Sequence, residues 1–166
     1  MSVRVAVVTL SDSASMGKRE DRSGPEVEQI LREAGGFAVV KTQVLPDDQD
    51  RIAMLLKKLC DSGDVDLVIT TGGTGLYPRD VTPEATRLVI DREVPGIPEL
   101  MRLEGLKSTP RAALSRGIAG IRGKTLIVNL PGSLKGVSES LGAILPILVH
   151  AVEKVSGDPR PCGETE

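Results

Sequence analysis

The chain has 166 residues, and its 40% hydrophobic and 27% charged residues, with a formal net charge of −2, are typical of one soluble globular domain. A near-neutral charge attracts a polyphosphate backbone weakly, and Phe37 and Tyr77, the only aromatic residues, form no platform for stacked bases, so we expect no nucleic-acid partner. No apolar run approaches the ~18 residues of a membrane span, and residues 1–10 contain no basic leader, so we expect a cytoplasmic protein with no membrane partner.

Strand and helix patterns alternate along the chain at short intervals. Aliphatic segments with the length of strands cover residues 3–10, 37–45, 66–71 and 125–130. Apolar residues at helical spacing predict helices at residues 23–34, about 52–62, 82–90, 98–105 and 137–155. Residues 13–22 predict a polar loop, residues 113–121 are ambiguous, and residues 157–166 predict a mobile polar tail. This order predicts an α/β fold with a largely parallel sheet, as a single domain over residues 1–156.

Three positions carry more specific helix signals. Ser23 and Glu26 have the spacing of a capping box at a helix start. Thr82 precedes Pro83 and an acidic residue, which predicts an N-cap followed by proline at the first helical position. Pro146 lies inside the last apolar stretch, where it either kinks the helix or starts a new segment.

The cysteines and the histidine exclude several kinds of chemistry. Cys60 and Cys162 stand alone, so their spacing predicts neither a zinc site nor a disulfide framework. His150, the only histidine, lies in an apolar helical stretch, where we interpret it as a structural residue. Nucleophilic catalysis by a Ser-His or Cys-His pair would have to use it and is therefore disfavoured.

Polar or glycine-rich loops follow three of the predicted strands. They contain Ser11-Asp12, Gly72-Gly73-Thr74-Gly75 and Pro131-Gly132-Ser133. Because the carboxyl ends of parallel strands share one edge of a sheet, where α/β proteins bind ligands, we expect these loops to meet there.

Two of these loops have the composition of an anion site. The glycines after Thr71 permit positive φ and expose amide groups, and Thr70, Thr71 and Thr74 add hydroxyl donors, although a plain tight turn explains this loop equally well. Neither a dinucleotide fingerprint nor a Gly-Lys-Ser/Thr phosphate loop is present there. At the other loop, Ser133 and Lys135 would hold an anion at a helix N-terminus; the alternative is a plain serine cap beside a solvated lysine.

Two aspartates follow turns near this predicted edge. Asp47 lies in the turn after the second strand, and Asp80 lies just before the helix start at Thr82. Taken singly, each is more often an ordinary turn or capping residue. Beside an anion site they would need a cation to offset repulsion, and Mg²⁺ between carboxylates and phosphate oxygens predicts phosphoryl or nucleotidyl transfer.

Six motifs in this order resemble those of the molybdenum-cofactor biosynthesis proteins that bind molybdopterin, including the molybdopterin adenylyltransferases. They lie at residues 9–12 (Thr-Leu-Ser-Asp), 21–25 (Asp-Arg-Ser-Gly-Pro), 46–47 (Pro-Asp), 70–75 (Thr-Thr-Gly-Gly-Thr-Gly), 79–84 (Arg-Asp-Val-Thr-Pro-Glu) and 129–136 (Asn-Leu-Pro-Gly-Ser-Leu-Lys-Gly). The resemblance covers residues 5 to about 155. It implies a three-layer α/β/α domain, a homotrimer or a hexamer of two trimers, and a pterin-phosphate site at the sheet edge.

The resemblance also implies a reaction and a set of site residues. The terminal phosphate of molybdopterin attacks the α-phosphorus of MgATP, giving adenylylated molybdopterin and pyrophosphate. Asp47 and Asp80 match the two acidic positions needed for this step, as catalytic residues and as holders of Mg²⁺. The matching substrate and nucleotide positions are Ser11, Asp12, Gly72, Gly73, Thr74, Gly75, Arg79, Thr82, Gly132, Ser133 and Lys135.

The chain departs from the family pattern at two positions, and other functions remain open. Ser13 stands where related adenylyltransferases often carry arginine, and Leu134 stands where proline is common. The first alternative is a non-catalytic molybdopterin-binding or carrier protein, and the second is a Rossmann-like enzyme acting on another phosphorylated metabolite. A protein that inserts molybdate is a further expected partner. The apolar stretch 94–98 suggests a trimer contact, with a core loop as the equal alternative.

Overall fold

The computed structural model describes residues 2–163, which contain six strands, six α-helices and one 3₁₀ turn. The strands are β1 (Val3–Leu10), β2 (Phe37–Leu45), β3 (Leu67–Thr71), β4 (Arg92–Glu93), β5 (Ala119–Arg122) and β6 (Thr125–Leu130). The helices are α1 (Asp12–Ser15), α2 (Ser23–Ala34), α3 (Gln49–Asp61), α4 (Thr82–Arg87), α5 (Gly96–Leu106) and α6 (Leu134–Ser156), with the 3₁₀ turn at Pro110–Leu114. All four expected strands and all five expected helices are therefore present.

The strands form one sheet in the order β2-β1-β3-β6-β5-β4. The first four are mutually parallel, and β5 and β4 extend the sheet through antiparallel pairings. The expected mostly parallel sheet is confirmed. Its consequence is that the chain leaves β1, β2, β3 and β6 at the same edge.

Helices cover both faces of the sheet. Successive side chains of β1 point to opposite faces, so Val5 and Val7 pack with α2, α5 and α6, whereas Ala6 and Val8 pack with α3 and α4. Every residue of β3 and β6 is buried. The two cores and the sheet between them form the expected three-layer α/β/α arrangement.

Two predicted helix caps are wrong. The Gly24 amide donates to Asp21 Oδ1 at 3.1 Å, so Asp21 caps α2, and Ser23 is already helical. Glu26 does not reach back to the cap because its carboxylate accepts from the Ser138 hydroxyl at 3.0 Å. Thr82 makes no side-chain cap either, because its hydroxyl donates to Gly72 O at 2.9 Å.

The structure also differs from the prediction at α4 and at the antiparallel strands β4 and β5. α4 ends at Arg87 rather than near residue 90, because Asp91 N donates to Ile121 O at 2.7 Å and draws the chain into the sheet as β4. The ambiguous segment contains the end of the 3₁₀ turn and the start of β5. The predicted polar loop after β1 contains the single-turn helix α1, which Ser11 caps.

α6 is a core helix despite its apolar length. By length and composition alone, this 23-residue helix could cross a membrane. Its buried residues recur at helical spacing and pack against the sheet: Val137, Leu141, Ile144, Leu148 and Val152. That pattern is typical of an amphipathic helix packed on one side. The helix continues through Pro146, so the proline starts no new segment.

Two more segments with sequence-based predictions are residues 94–98 and the polar tail after α6. Ile97 and Pro98 are buried at the start of α5, whereas Val94 is half-buried and Pro95 and Gly96 are exposed. Only the end of the stretch 94–98 therefore belongs to the core, and the trimer contact stays a prediction. Past α6, Arg160 pairs with Asp158 at 2.7 Å and with Glu153 at 3.6 Å, which holds the start of the polar tail. Residues 164–166 of that tail lie outside the described part of the chain.

Candidate functional site

Four loops meet at the carboxyl edge of the parallel strands. They carry Ser11-Asp12, Asp47, Gly72 to Gly75, and Pro131 to Ser133, and the strands that lead into them are neighbours in the sheet. The loops are in close contact, since a Cβ on Gly132 would lie 3.2 Å from Gly72 Cα. The prediction that the loops after the parallel strands meet at one edge of the sheet is therefore confirmed.

Asp12 and Asp47 join the ends of β1 and β2. The Asp12 amide donates to Asp47 Oδ2 at 3.1 Å, and the Asp47 amide donates to Asp12 Oδ1 at 3.0 Å. Arg79 reaches the same pair, donating through Nε and Nη2 to Asp12 and through Nη2 to Asp47 O. Its hydrogen bonds hold the pKa of Asp12 below the ordinary value. Both aspartates are thereby fixed in direction by backbone and guanidinium donors.

One oxygen of Asp47 has no partner in the described structure. Oδ1 is buried and accepts no hydrogen bond from residues 2–163. Burial raises the pKa of Asp47, and the charges of Asp12 and Asp80 raise it further, while the Asp12 amide and Arg79 oppose this. A buried carboxylate oxygen without a donor is costly, so this atom is suited to a cation or another ligand.

The glycine loop requires its glycines at two positions. Gly72 and Gly73 have φ of 95° and 67°. A Cβ on Gly72 would lie 2.3 Å from Leu10 O, and a Cβ on Gly73 would lie 2.3 Å from Thr82 Oγ1 and 3.1 Å from Asp47 Oδ1. The loop backbone therefore passes directly beside the unpartnered oxygen of Asp47.

Three of the predicted threonines, Thr70, Thr71 and Thr82, bond to other parts of the protein. Thr82 is buried, its hydroxyl donates to Gly72 O at 2.9 Å, and its amide donates to Gly73 O at 3.1 Å. The Thr71 hydroxyl donates to Pro131 O at 2.7 Å, and the Thr70 hydroxyl accepts from Asn129 at 3.0 Å. The expectation that Thr70 and Thr71 offer hydroxyl donors to a ligand is therefore wrong, and these contacts do not involve Thr74.

A cavity of about 490 Å³, which we call the α5 cavity, opens between the glycine loop, α5, the 3₁₀ turn and the start of α6. From the glycine loop, it is lined by Gly73, Thr74, Gly75 and Asp80. From the β6–α6 connection, it is lined by Gly132, Ser133 and Lys135. Seven of the predicted site residues thus share one cavity.

A second cavity, the α1 cavity, lies on the other side of the β6–α6 turn. It has a volume of about 530 Å³ and is lined by α1 and residues 19–23. Predicted residues in its wall are Ser11, Gly72, Gly132 and Ser133. Because Gly132 and Ser133 line both cavities, the two spaces meet at this turn.

Ser133 and Lys135 fit both interpretations of the β6–α6 loop, the serine cap and the anion site. The Gly136 amide donates to Ser133 Oγ at 3.0 Å, so the serine does cap α6. Lys135 is 74% exposed and lies 3.9 Å from Glu139, a weak contact that leaves its ammonium available. The exposed amino end of a long helix and an available cation both favour a bound anion at this wall of the α5 cavity.

Sequence reasoning missed several cations of the site. Arg102 and Arg111 line the α5 cavity from α5 and the 3₁₀ turn, and Arg19 and Arg22 line the α1 cavity. Arg116 holds the segment from Thr74 to Glu84 through four hydrogen bonds. Arg22 lies within the motif at residues 21–25, and Arg19 lies two residues before it. Arg102, Arg111 and Arg116 are distant in sequence from the carboxyl ends of the parallel strands, and only the fold brings them near.

His150 and the cysteines take no part in this site. His150 lies sixteen residues along α6 from Leu134, or roughly 24 Å of helix from the site. Burial raises the pKa of Cys60 to about 12, so its thiol stays protonated. Neither Cys60 nor the exposed Cys162 lines the α5 or the α1 cavity.

The sequence of this chain matches a known family and described relatives. The family model described as a probable molybdopterin binding domain matches residues 6–150. The molybdopterin adenylyltransferase of Helicobacter pylori is 42% identical over 158 residues, which cover 95% of this chain and 90% of that protein. The molybdenum cofactor synthesis protein cinnamon of Drosophila melanogaster is 43% identical over 157 residues; these cover 95% of this chain and 26% of that protein, so this chain spans about a quarter of it.

A solved structure agrees with the sequence comparison. The molybdopterin biosynthesis enzyme MoaB from Thermus thermophilus superposes with a TM-score of 0.89 at 52% identity. The superposition covers 95% of this chain and 98% of that chain. The two proteins therefore share both the fold and about half of their residues over nearly their whole length.

Proposed function

We propose that this chain, which belongs to the family of probable molybdopterin binding domains, is a molybdopterin adenylyltransferase. In this reaction a terminal phosphate oxygen of molybdopterin forms a bond to the α-phosphorus of ATP. The bond from that phosphorus to the bridging oxygen breaks, and pyrophosphate leaves. The Helicobacter pylori relative, 42% identical over 95% of this chain, carries that name.

The observation that carries the proposal is the pair of cavities that meet at Gly132 and Ser133. They have volumes of about 490 and 530 Å³, each within the range of small-molecule sites. A transfer between two phosphorylated substrates needs two spaces whose contents touch. The shared turn supports this arrangement, and cations line both spaces.

The chemistry needs alignment and charge compensation rather than a base. A phosphate nucleophile is already ionised near neutral pH, so the distance of His150 from the site is no obstacle. Lys135, Arg102 and Arg111 face the α5 cavity and would offset charge on phosphate groups there. The amides of the glycine loop and of the α6 start add dipoles that need no reorganisation.

The acidic residues fit Mg²⁺. Within residues 2–163, Asp47 Oδ1 is buried beside Gly73 without a hydrogen-bond partner, and Asp80 lines the adjoining α5 cavity. Burial and the charges of Asp12 and Asp80 raise the pKa of Asp47. Residues 2–163 hold no cluster of three or more His, Cys, Asp or Glu side chains suited to a metal. Two carboxylates suit Mg²⁺, which keeps several waters and binds substrate phosphates. When bound, it would neutralise phosphate charge as the reaction proceeds.

We assign the remaining roles on the same basis. Asp47 holds the metal or the nucleotide, and Asp80 places substrate and metal. Asp12 and Arg79 fix the direction of Asp47, Ser11 caps α1 at the α1 cavity, and Thr82 supports the glycine loop. The backbone from Gly72 to Gly75, with Gly132, Ser133 and Lys135, forms the phosphate-binding surface.

Three further features belong to the proposal. We expect a cytoplasmic enzyme whose domain covers residues 1–156, and a protein that inserts molybdate as the consumer of its product. We also expect a homotrimer or a hexamer, for which Leu103 and Leu106 of α5 and Leu114 of the 3₁₀ turn offer support, because they are 62%, 45% and 52% exposed. Light scattering coupled to size exclusion would measure the assembly, and a monomer at micromolar concentration would contradict it.

The decisive experiment is turnover. Incubation of the protein with molybdopterin, ATP and Mg²⁺ should yield adenylyl-molybdopterin and pyrophosphate, followed by liquid chromatography and mass spectrometry. Asp80→Asn should lose product formation and retain molybdopterin binding. Wild-type protein that binds molybdopterin but forms no product, with an affinity indifferent to ATP, would be a carrier, and the enzymatic proposal would fail.

A further inference from the structure

Arg116 joins the two ends of the loop that carries Asp80. It lies between the 3₁₀ turn and β5, outside every motif recognised in the sequence. Its Nε donates to Gly75 O at 2.8 Å, and its Nη2 donates to Asp80 O at 2.7 Å. Its own amide donates to Thr74 O at 2.8 Å. One residue therefore fixes three carbonyl groups of the loop.

A carboxylate from a third element orients the guanidinium. Nη1 of Arg116 donates to Oε1 of Glu84, which lies in the first turn of α4. The planar guanidinium thus uses all three of its nitrogens at once, on Gly75, Asp80 and Glu84. A lysine ammonium is a point charge without this fork and could not keep all three contacts in place.

The segment between the two clamped carbonyls has little other support. Leu76 and Tyr77 are 64% and 68% exposed. The Tyr77 amide donates to Asp80 Oδ2 at 3.1 Å, and the Asp80 amide donates to Tyr77 O at 2.8 Å, but both bonds lie within the segment. Apart from the contacts of Arg79 with Asp12 and Asp47, the guanidinium of Arg116 is the main polar tie from residues 75–80 to the rest of the described chain. Hydrogen bonds from a charged donor are the stronger kind, so this tie determines where the segment sits.

We propose that Arg116, oriented by Glu84, is a positioning residue that sets the place of the Asp80 carboxylate in the α5 cavity. The inference rests on the proposed adenylyl transfer, in which Asp80 places substrate and metal. Arg116 does not itself line the α5 cavity, so it acts through Asp80 rather than by touching a substrate there.

The test compares Arg116→Lys with Arg122→Lys. Arg122 is a matched control, because it also donates to one carboxylate, on Asp61 at 2.9 Å, and to a backbone carbonyl, on Val89 at 3.0 Å. Arg116→Lys should raise the Mg²⁺ concentration for half-maximal turnover about tenfold and lower kcat by about 10- to 100-fold, the range for residues that orient a ligand. Arg122→Lys should keep both values of the wild type. Partial misfolding lowers kcat but leaves the Mg²⁺ half-saturation unchanged, so this constant separates positioning from folding.

Two further measurements do not depend on turnover. Calorimetric titration with Mg²⁺ and a non-hydrolysable ATP analogue should show weaker binding by Arg116→Lys and no change in Arg122→Lys. Amide hydrogen exchange should become faster in residues 76–80 of Arg116→Lys and stay unchanged in β3. Free guanidinium ion added to Arg116→Ala should slow that exchange again and restore part of the turnover.

The results of these experiments distinguish the positioning role of Arg116 from the proposed adenylyl transfer. If the wild type forms adenylyl-molybdopterin and Arg116→Lys keeps its Mg²⁺ half-saturation and its exchange rates, the positioning role is wrong. If the wild type forms no product, the proposed function fails, and with it the role of Asp80 in turnover. Exchange in residues 76–80 then still decides whether Arg116 holds the segment, since unchanged rates would overturn that as well.

Discussion

Arg79 forms a two-pronged ion pair with Asp12, with Nε 2.6 Å from Oδ2 and Nη2 2.9 Å from Oδ1. The partners lie 67 positions apart in the sequence, so the pair joins the end of β1 to the loop after β3. Its guanidinium also donates to Asp47 O at 3.1 Å. Arg79, a predicted substrate or nucleotide position, thus has a structural role, since it holds together the turns that carry Asp12 and Asp47.

Arg79→Lys should lower kcat/KM about tenfold with little change in the melting temperature. The ammonium can contact one carboxylate oxygen but cannot span both, so Asp12 and Asp47 lose their fixed direction. The pair is largely exposed, which is why stability should change little. Steady-state assays and thermal unfolding measure the two quantities. Arg87→Lys, which loses only a 3.9 Å surface contact with Glu93, should behave as wild type in both; wild-type activity in Arg79→Lys would contradict the assigned role.

Asp47→Asn should lower kcat by at least about 100-fold and leave the fold intact. The amide keeps the size of the side chain but removes the negative charge that would hold a cation at the unpartnered oxygen position. Because burial disfavours the charged form of Asp47, the variant should unfold at the same temperature or higher.

The neighbouring Asp48→Asn is the control for this change. Asp48 Oδ1 accepts from the Arg51 amide at 3.0 Å as the cap of α3, and asparagine is an equally good cap. We expect wild-type turnover and stability. Loss of activity in Asp48→Asn as large as that in Asp47→Asn would show that the turn, rather than the charge of Asp47, is what matters.

The elements of the fold were predictable because their signals are local. Buried parallel strands appear as aliphatic runs, and β1, β3 and β6 all do. The position of the site at the sheet edge was also predictable, because the glycine loop and the β6–α6 turn each come directly after such an aliphatic run.

The unpredicted features depend on contacts between distant residues. Asp21 rather than Ser23 caps α2 because Thr9 of β1 donates to Asp21 Oδ2 at 2.8 Å and holds it there. β4 exists because β5 pairs with it, and a two-residue strand has no sequence pattern of its own. Arg116 carries no local signal either, because its partners lie 32 to 41 positions away.

Gly72→Ala should destabilise the protein by about 1–3 kcal/mol. The residue has φ of 95°, and the new Cβ would lie 2.3 Å from Leu10 O, a backbone atom of a buried strand that cannot move aside. Gly142→Ala in the middle of α6 is the opposite case, because a Cβ there meets nothing within 4 Å. It should stabilise the protein by about 0.5–1 kcal/mol. Urea unfolding measures both, and equal signs for the two variants would contradict the loop geometry.

Asp66→Asn should make the protein less stable at neutral pH and less sensitive to acid. Arg4 donates to Asp66 through its amide, Nε and Nη2 at 2.7 to 3.0 Å, and these bonds hold the pKa of Asp66 below its ordinary value of 3.8. A carboxyl group with a lowered folded-state pKa stabilises the fold while it is ionised, and this contribution disappears as the pH falls from about 4 through the folded-state value. The difference in unfolding free energy between wild type and Asp66→Asn should therefore be largest near neutral pH and shrink below about pH 4. Urea midpoints measured across this range test the sign, with Asp64→Asn, two positions away, as the control; a difference that grows on acidification would refute the linkage.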